Sequence, residues 1–450
     1  MRRLSLISLA ALALSALPAL AQDLTAITGG RVLTGTSVIE NGTVVIQNGR
    51  VVSVGTGAAP SGARVIDARG KVVTPGLVAV DAGLGASEIS SVAESDDLSN
   101  RANTISASFD VSYGLDPWSF TLPVARLGGI TRAVVIPNHP GSGGGGHSHQ
   151  DDSDFAGAGA GGFQTPSLFA GTASIIHLAA GSDILVRPRV AMVAPFGEAG
   201  AGIAGGARGA QFVQFKESLA EVRLYARNKA AYDRAGLRDL SLSRADLEAL
   251  IPVVSGDMPL IVTVRRAADI LQVLRLAREE GVRIILDGAD EGWLVAPQIA
   301  AAGVPVLMNP IDNLPGSIET RASRMENAAA LNAAGVVIAI KGNGVHRARE
   351  ARFNAGNAVS HGLPFEAAIA ALTVNPARIF GMAGQFGELR AGAVADVVVW
   401  DGDPLEPLSS VTVQFINGEE QSLSSRQILL RDRYRNGGRP DGGMPLAYGN

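Results

Sequence analysis

The sequence contains no cysteine. Disulfide staples, thiolate metal sites and thiol nucleophiles are therefore excluded. Lysine is nearly missing too, with four residues against 34 arginines, and only six histidines occur in 450 residues. There is no basic surplus: 38 Lys+Arg against 42 Asp+Glu leave a formal charge of −4. Such a chain has little with which to release counterions from a phosphate backbone, so nucleic-acid partners are not expected. Charged residues make up 18% and aromatics 5%, whereas 46% of the chain is apolar. That balance excludes a disordered chain, and the length is ample for a large core.

Beyond the N-terminus no apolar run is long enough to cross a bilayer, so stable membrane insertion is not expected. The N-terminus itself has another pattern. Arg2 and Arg3 precede an apolar stretch over residues 4–17, and Ala19-Leu20-Ala21 offers a small-x-small cleavage site before Gln22. A short positive end, a brief apolar stretch and small residues at the cut predict a signal peptide over residues 1–21. The expected product is exported, to the periplasm, after cleavage near Ala21.

Residues 24–73 read as short strands. Segments 43–47 and 51–54 flank Asn48-Gly49-Arg50, a hairpin signal. Strand-like segments 394–400 and 411–416 recur near the other end, so one β unit built from both termini is predicted, over 22–75 plus 386–430. Between these pieces the pattern changes. Segments 260–264, 284–286, 304–308 and 336–340 are fully apolar, as in strands buried on both faces. Helical stretches separate them: Ile270, Val273, Leu274 and Ala277 recur at i, i+3, i+4, i+7 before Gly281, and 293–302 and 325–334 end at Gly303 and Gly335. Earlier strands are expected at 77–81, 133–136, 175–178 and 190–194. Eight strands alternating with helices predict an α/β fold, a (β/α)8 TIM-like barrel over 76–385 with its chemistry at the strand C-termini. Residues 141–162 are glycine-rich and read as a long loop, and 431–450 as a C-terminal tail.

Several segments resemble the amidohydrolase superfamily. At entry stand Val65-Ile66-Asp67-Ala68 and Gly70-Lys71-Val72-Val73-Thr74-Pro75-Gly76-Leu77. At exit stand Thr373-Val374-Asn375-Pro376-Ala377, Gly387-Glu388-Leu389 and Ala395-Asp396-Val397-Val398-Val399-Trp400. The resemblance, imidazolonepropionase- and dihydroorotase-like in style, implies a barrel with a small β-sandwich and hydrolysis of non-peptide or cyclic amide C–N bonds. It also implies a zinc-like divalent metal that activates water at the barrel mouth. Similar proteins place a His-x-His after the Pro-Gly of the first strand, further histidines on strands five and six, and an aspartate on strand eight.

This sequence departs from that pattern. Asp81 and Gly83 fall where the first histidines are expected, Thr263 or Arg265 on strand five, Gly288 on strand six and Asn343 on strand eight. A cofactor is therefore implied by the resemblance alone. The strand ends carry Asp81, Arg265, Arg266, Asp287, Asp290, Glu291 and Lys341, and ligand-binding candidates are Asp81, Arg265, Glu291, Lys341 and Asn343. Arginine presents a fork that matches carboxylate. An alternative set of metal donors is His147, His149 and His177, the first two beside Asp151, Asp152 and Asp154. Two functions remain open: an exported hydrolase of the family's class, or a pseudo-hydrolase that binds a small anionic or zwitterionic ligand. Either takes a small molecule as partner, and the sequence is compatible with an oligomer.

Overall fold

Asn48-Gly49 makes the turn its sequence predicts. Both residues have positive φ, 50° and 76°, as a type I′ hairpin turn requires, and Gln47 pairs with Arg50 across it. The computed structural model describes residues 24–89, 92–100, 105–139, 167–312, 315–342 and 344–435. The expected signal peptide, the 141–162 loop with His147 and His149, Asn343 and residues 436–450 lie outside the described residues. Residues 431–435, assigned to the tail from sequence, belong to a helix, Arg426–Arg435.

The first sheet draws on both ends of the chain. β1 (Thr25–Leu33), β2 (Val38–Gln47), β3 (Arg50–Gly55), β4 (Arg64–Asp67) and β5 (Val72–Pro75) join β14 (Val397–Trp400), β15 (Val411–Ile416) and β16 (Glu419–Glu420). The order is β16-β15-β14-β5-β1-β2-β3, with β4 on β1. The expected sandwich is thus one connected sheet of eight strands. Alternation along β14 gives the sheet two buried faces. Val397 and Val399 enter a core of the sheet's own with Ile27, Val44 and Val73, whereas Val398 and Trp400 pack into the large core around the barrel.

The barrel comprises β6 (Leu77–Val80), β7 (Ile130–Val135), β8 (Gly171–His177), β9 (Leu185–Pro195), β10 (Leu260–Val264), β11 (Ile284–Gly288), β12 (Val306–Met308) and β13 (Ile338–Ile340), hydrogen-bonded in chain order. All eight expected strands are present, but one runs the other way: β8 is antiparallel to both β7 and β9. The seven residues between β8 and β9 are too few for the crossover that a parallel pair needs. The helix predicted around Ile270 spans Ala267–Glu280, buries Ile270, Val273 and Ala277, and ends at Gly281.

Two sequence motifs act at the barrel's joints. Gly76 follows β5 where a Cβ would lie 2.0 Å from the Thr131 hydroxyl, so only glycine lets β6 settle beside β7. The hydrogen-bonded path ends at β13 and β6, and Asn375 of the Thr-Val-Asn-Pro-Ala segment donates from Nδ2 to the Ile338 carbonyl at 2.9 Å beside that seam. Inside the barrel Val78, Val80, Val134, Ile175, Ile261, Ile285, Leu307 and Ala339 form a continuous apolar core.

Candidate binding site at the barrel mouth

The period of two that sends Ile261, Ile285, Leu307 and Ala339 into the barrel predicts what stands one layer higher: Thr263, Asp287, Asn309 and Lys341. Three of these share a hydrogen-bonded cluster. The Lys341 ammonium donates to Asp287 Oδ1 at 2.6 Å and to Asp81 Oδ2 at 2.8 Å, and the Thr263 hydroxyl reaches Asp287 Oδ2 at 3.4 Å. Strict alternation along β6 would turn Asp81 away from the axis. Its left-handed backbone, φ 58°, breaks the alternation just past the strand, a conformation that aspartate tolerates better than most side chains.

The cluster is sunk but not sealed. Side-chain exposure is 15% for Lys341, 13% for Asp287 and 30% for Asp81. Burial pushes the Asp81 carboxyl up, opposed by Lys341 and reinforced by the Asp287 charge. For Lys341 burial disfavours the ammonium, but Asp287 and Asp81 together outweigh it and hold the amine charged above its usual range. When both are ionised, two carboxylates against one ammonium leave a surplus negative charge.

Arg265, at the end of β10, lies beside this cluster and keeps 38% of its side chain exposed. One of its nitrogens sits 3.3 Å from Asp290, whose carboxyl is pushed up to about 6 by burial against the lowering pull of Arg265. The other candidates are placed differently. Glu291 is buried and accepts from the backbone amides of Ala267 and Ala322 at 3.0 and 3.1 Å, which ties the start of one helix to a neighbouring loop. Arg266 turns toward Asp269 at 3.9 Å. The strand-six position facing the axis is Asp287 rather than Gly288.

His177 is carried to the other end. Because β8 is reversed, its C-terminal residue pairs with Arg132 near the start of β7, far from the mouth. There its Nδ1 accepts from the Ala179 amide at 3.2 Å, and burial, with Arg132 nearby, lowers its pKa. Among the described residues no group of three or more His, Asp or Glu side chains converges as metal ligands would. Sequence reasoning missed Asn309 and Asn354. Asn354 Nδ2 donates to the Lys341 carbonyl at 2.9 Å and to Asn309 Oδ1 at 3.0 Å, fixing the backbone that presents the ammonium. Counting two from Leu307 would have found Asn309; Asn354, on helix Ala351–Ser360, left no comparable signal.

A family model described as the amidohydrolase family matches residues 256–419, a span that includes Arg265, Asp287, Asp290 and Lys341 but not Asp81. Over 84 residues the chain is 37% identical to the amidohydrolase tasK of Hapsidospora irregularis, which is 19% of this chain and 9% of that protein's length. Among solved structures, an amidohydrolase from Thermotoga maritima MSB8 superposes with a TM-score of 0.73 at 22% identity, covering 88% of this chain and 99% of that one. At that identity the likeness is one of fold.

Proposed function

From the match to the amidohydrolase family model over residues 256–419, we propose that this chain is a divergent member of that family whose barrel mouth binds a small zwitterion without metal-activated hydrolysis. The observation that carries the reading is the Lys341 ammonium lying within 2.6 and 2.8 Å of two carboxylates at the axis. The family's chemistry rests on a divalent cation that lowers the pKa of a bound water. The residues here do not fit one. An ammonium has no lone pair to donate, and its charge repels a second cation from the carboxylates it bridges. Thr263, on the strand expected to supply a histidine, offers a hydroxyl that is engaged with Asp287.

The ligand class follows from charge and exposure. Asp81 is the most open of the three charged members, and once ionised it leaves, with Asp287, one negative charge beyond what Lys341 neutralises. A ligand ammonium belongs there. Arg265 projects its guanidinium from the adjacent strand, partly exposed and held by a single carboxylate, where it can take a ligand carboxylate in a forked pair. An amino-acid-like or dipeptide-like zwitterion meets both demands.

The chain is proposed to act after export, on the strength of the residue 1–21 pattern. The test uses protein purified from the periplasm, expected to begin at Gln22. Metal analysis after dialysis should find no stoichiometric zinc, manganese or iron. A calorimetric screen of amino acids and dipeptides should find a binder whose affinity falls at least about tenfold in Arg265→Ala, the loss of one charge-assisted pair. Stoichiometric metal together with amide hydrolysis would overturn the proposal in favour of an active hydrolase.

A further inference from the structure

A second concavity lies at the opposite end of the barrel. It runs past the N-terminal ends of β10, β11 and β12, between helix Ala267–Glu280 and helix Ala296–Ala301, with a volume of about 750 Å³. That is within the size range of sites that enclose a small organic ligand. Strands of roughly five residues separate it from the mouth by about 15 Å at 3.3 Å per residue.

Its lining has two parts. Leu271, Leu274, Ile284, Val304, Pro305 and Ile379 supply an apolar floor and wall, and Arg275, Arg278 and Arg283 supply the charged ones; among the described residues no acidic side chain lines it. The helix pattern accounts for this. Ile270, Val273 and Ala277 face the core, which turns Leu271, Leu274, Arg275 and Arg278, at i, i+3, i+4 and i+7, onto a neighbouring stripe.

The three arginines are not equivalent. Arg275 is matched by Glu279 at 2.6 Å. Arg283 donates to the neutral Asp257 carbonyl at 2.8 Å, and among the described residues no carboxylate pairs with its charge. Arg278 has no hydrogen-bond or ion-pair partner among the described residues, although Arg275, Arg223 and Arg208 on nearby surfaces all do. Two uncompensated guanidinium groups beside an apolar trough form a surface with one kind of complement. We infer that this groove is a binding site for an anionic amphiphile, a fatty-acid-like molecule whose chain lies along Leu274, Ile284 and Val304 and whose carboxylate meets Arg278 and Arg283. Guanidinium supplies the forked donor pair that a carboxylate accepts, and the apolar wall supplies burial for the chain.

The experiment is calorimetric titration of the full chain with dodecanoate below its micellar concentration, with 1-dodecanol as the uncharged control. The expected result is saturable binding at one site, at least about tenfold weaker in Arg278→Glu/Arg283→Glu and weaker for the alcohol. Ala301→Trp, which narrows the groove and changes no charge, should weaken dodecanoate as well, and keeps the test decisive where the charge reversals disturb folding. Several results would overturn the inference: no saturable binding, equal affinity for acid and alcohol, or indifference to all these variants. Association with phosphatidylglycerol vesicles without binding of free dodecanoate would assign the surface to a membrane instead. Self-association abolished by the charge reversals, with no dodecanoate bound, would assign it to a second copy of the chain.

Discussion

Two clusters in this molecule set a cation against carboxylate, and they are built to opposite specifications. At the barrel mouth Lys341 faces Asp81 and Asp287 in a cleft that water enters, with charges of two against one. Near the other end of the barrel Arg132 on β7 faces Asp396, just before β14, with 4% and 2% of their side chains exposed. Here the charges match one for one. The Arg132 fork also donates to Asn417 Oδ1 at 2.7 Å, and its guanidinium stacks 4.8 Å from the centre of the Phe386 ring. Asp396 Oδ1 accepts from the Asn417 amide at 2.9 Å. Both Asp396 oxygens and the Nε and Nη2 nitrogens of Arg132 have partners, as a buried pair needs if it is to be tolerated. The mouth cluster breaks that condition in charge and in access. A balanced, sealed pair joins two units; an unbalanced, open one is left to meet a ligand.

The contrast predicts unequal consequences. Removing Asp396 leaves Arg132 charged, buried and unpaired between barrel and sheet, so Asp396→Ala should lower unfolding free energy by about 3–5 kcal/mol. Chemical denaturation measures it. The apolar pair Arg132→Met/Asp396→Leu should recover much of the loss, because no orphan charge remains. A loss below about 1 kcal/mol for Asp396→Ala, the size of an exposed pair, would erase the distinction.

Lys341→Met should cost less stability, about 2–3 kcal/mol at pH 8, because water reaches the two aspartates it leaves behind. The sign of its pH dependence separates this site from the sealed one. Two adjacent carboxylates without their cation repel, and one takes up a proton as pH falls, so the destabilisation should shrink between pH 8 and pH 5. A deficit that stays constant over that range would mean Asp81 and Asp287 do not sense each other.

Much of this architecture was legible in the residues. Asn48-Gly49, the helix around Ile270 that stops at Gly281, and all eight apolar runs of the barrel follow from turn chemistry and hydrophobic period. Strand direction does not. Nothing in Gly171–His177 itself records that it runs backwards; only the short link to β9 does, and that reversal moves His177 from the mouth to the far end. The mouth was legible in composition but blurred in register. Lys341 and Asp81 were picked out as strand-end charges, yet the choice between Gly288 and Asp287 needed the alternation anchored at Ile285. Asp81 escapes alternation through one left-handed residue that no pattern announces. Glu291 shows the converse limit: an acidic residue at a strand end looks like a ligand until its two backbone partners are seen. Asp396, by contrast, stood in a segment that carried the family resemblance, and its visible work is to hold Arg132.

The smallest effect is the most specific to the open site. Asp290 is buried with its carboxyl pushed up to about 6, and its partner Arg265 is substantially exposed. A carboxyl raised in the folded state binds its proton more tightly there than in the unfolded chain. Stability from this group is therefore greatest below the ordinary aspartate range and declines as pH rises from about 4 to about 6, then stays level. Asp290→Asn should lack that decline, differing from the wild type by about 1–2 kcal/mol across the window, discounted because solvent screens Arg265. The same proton governs recognition. Charged Asp290 competes with a ligand carboxylate for the Arg265 fork, whereas protonated Asp290 gives it up. Between pH 7 and pH 5 the wild type should gain affinity for a zwitterion relative to Asp290→Asn, because the variant has no competing charge to lose. Taking the difference removes the contribution of Asp81, which both proteins share. Parallel binding curves for the two proteins would show that Arg265 is committed to Asp290 as firmly as Arg132 is to Asp396, and the mouth would then be a second sealed joint.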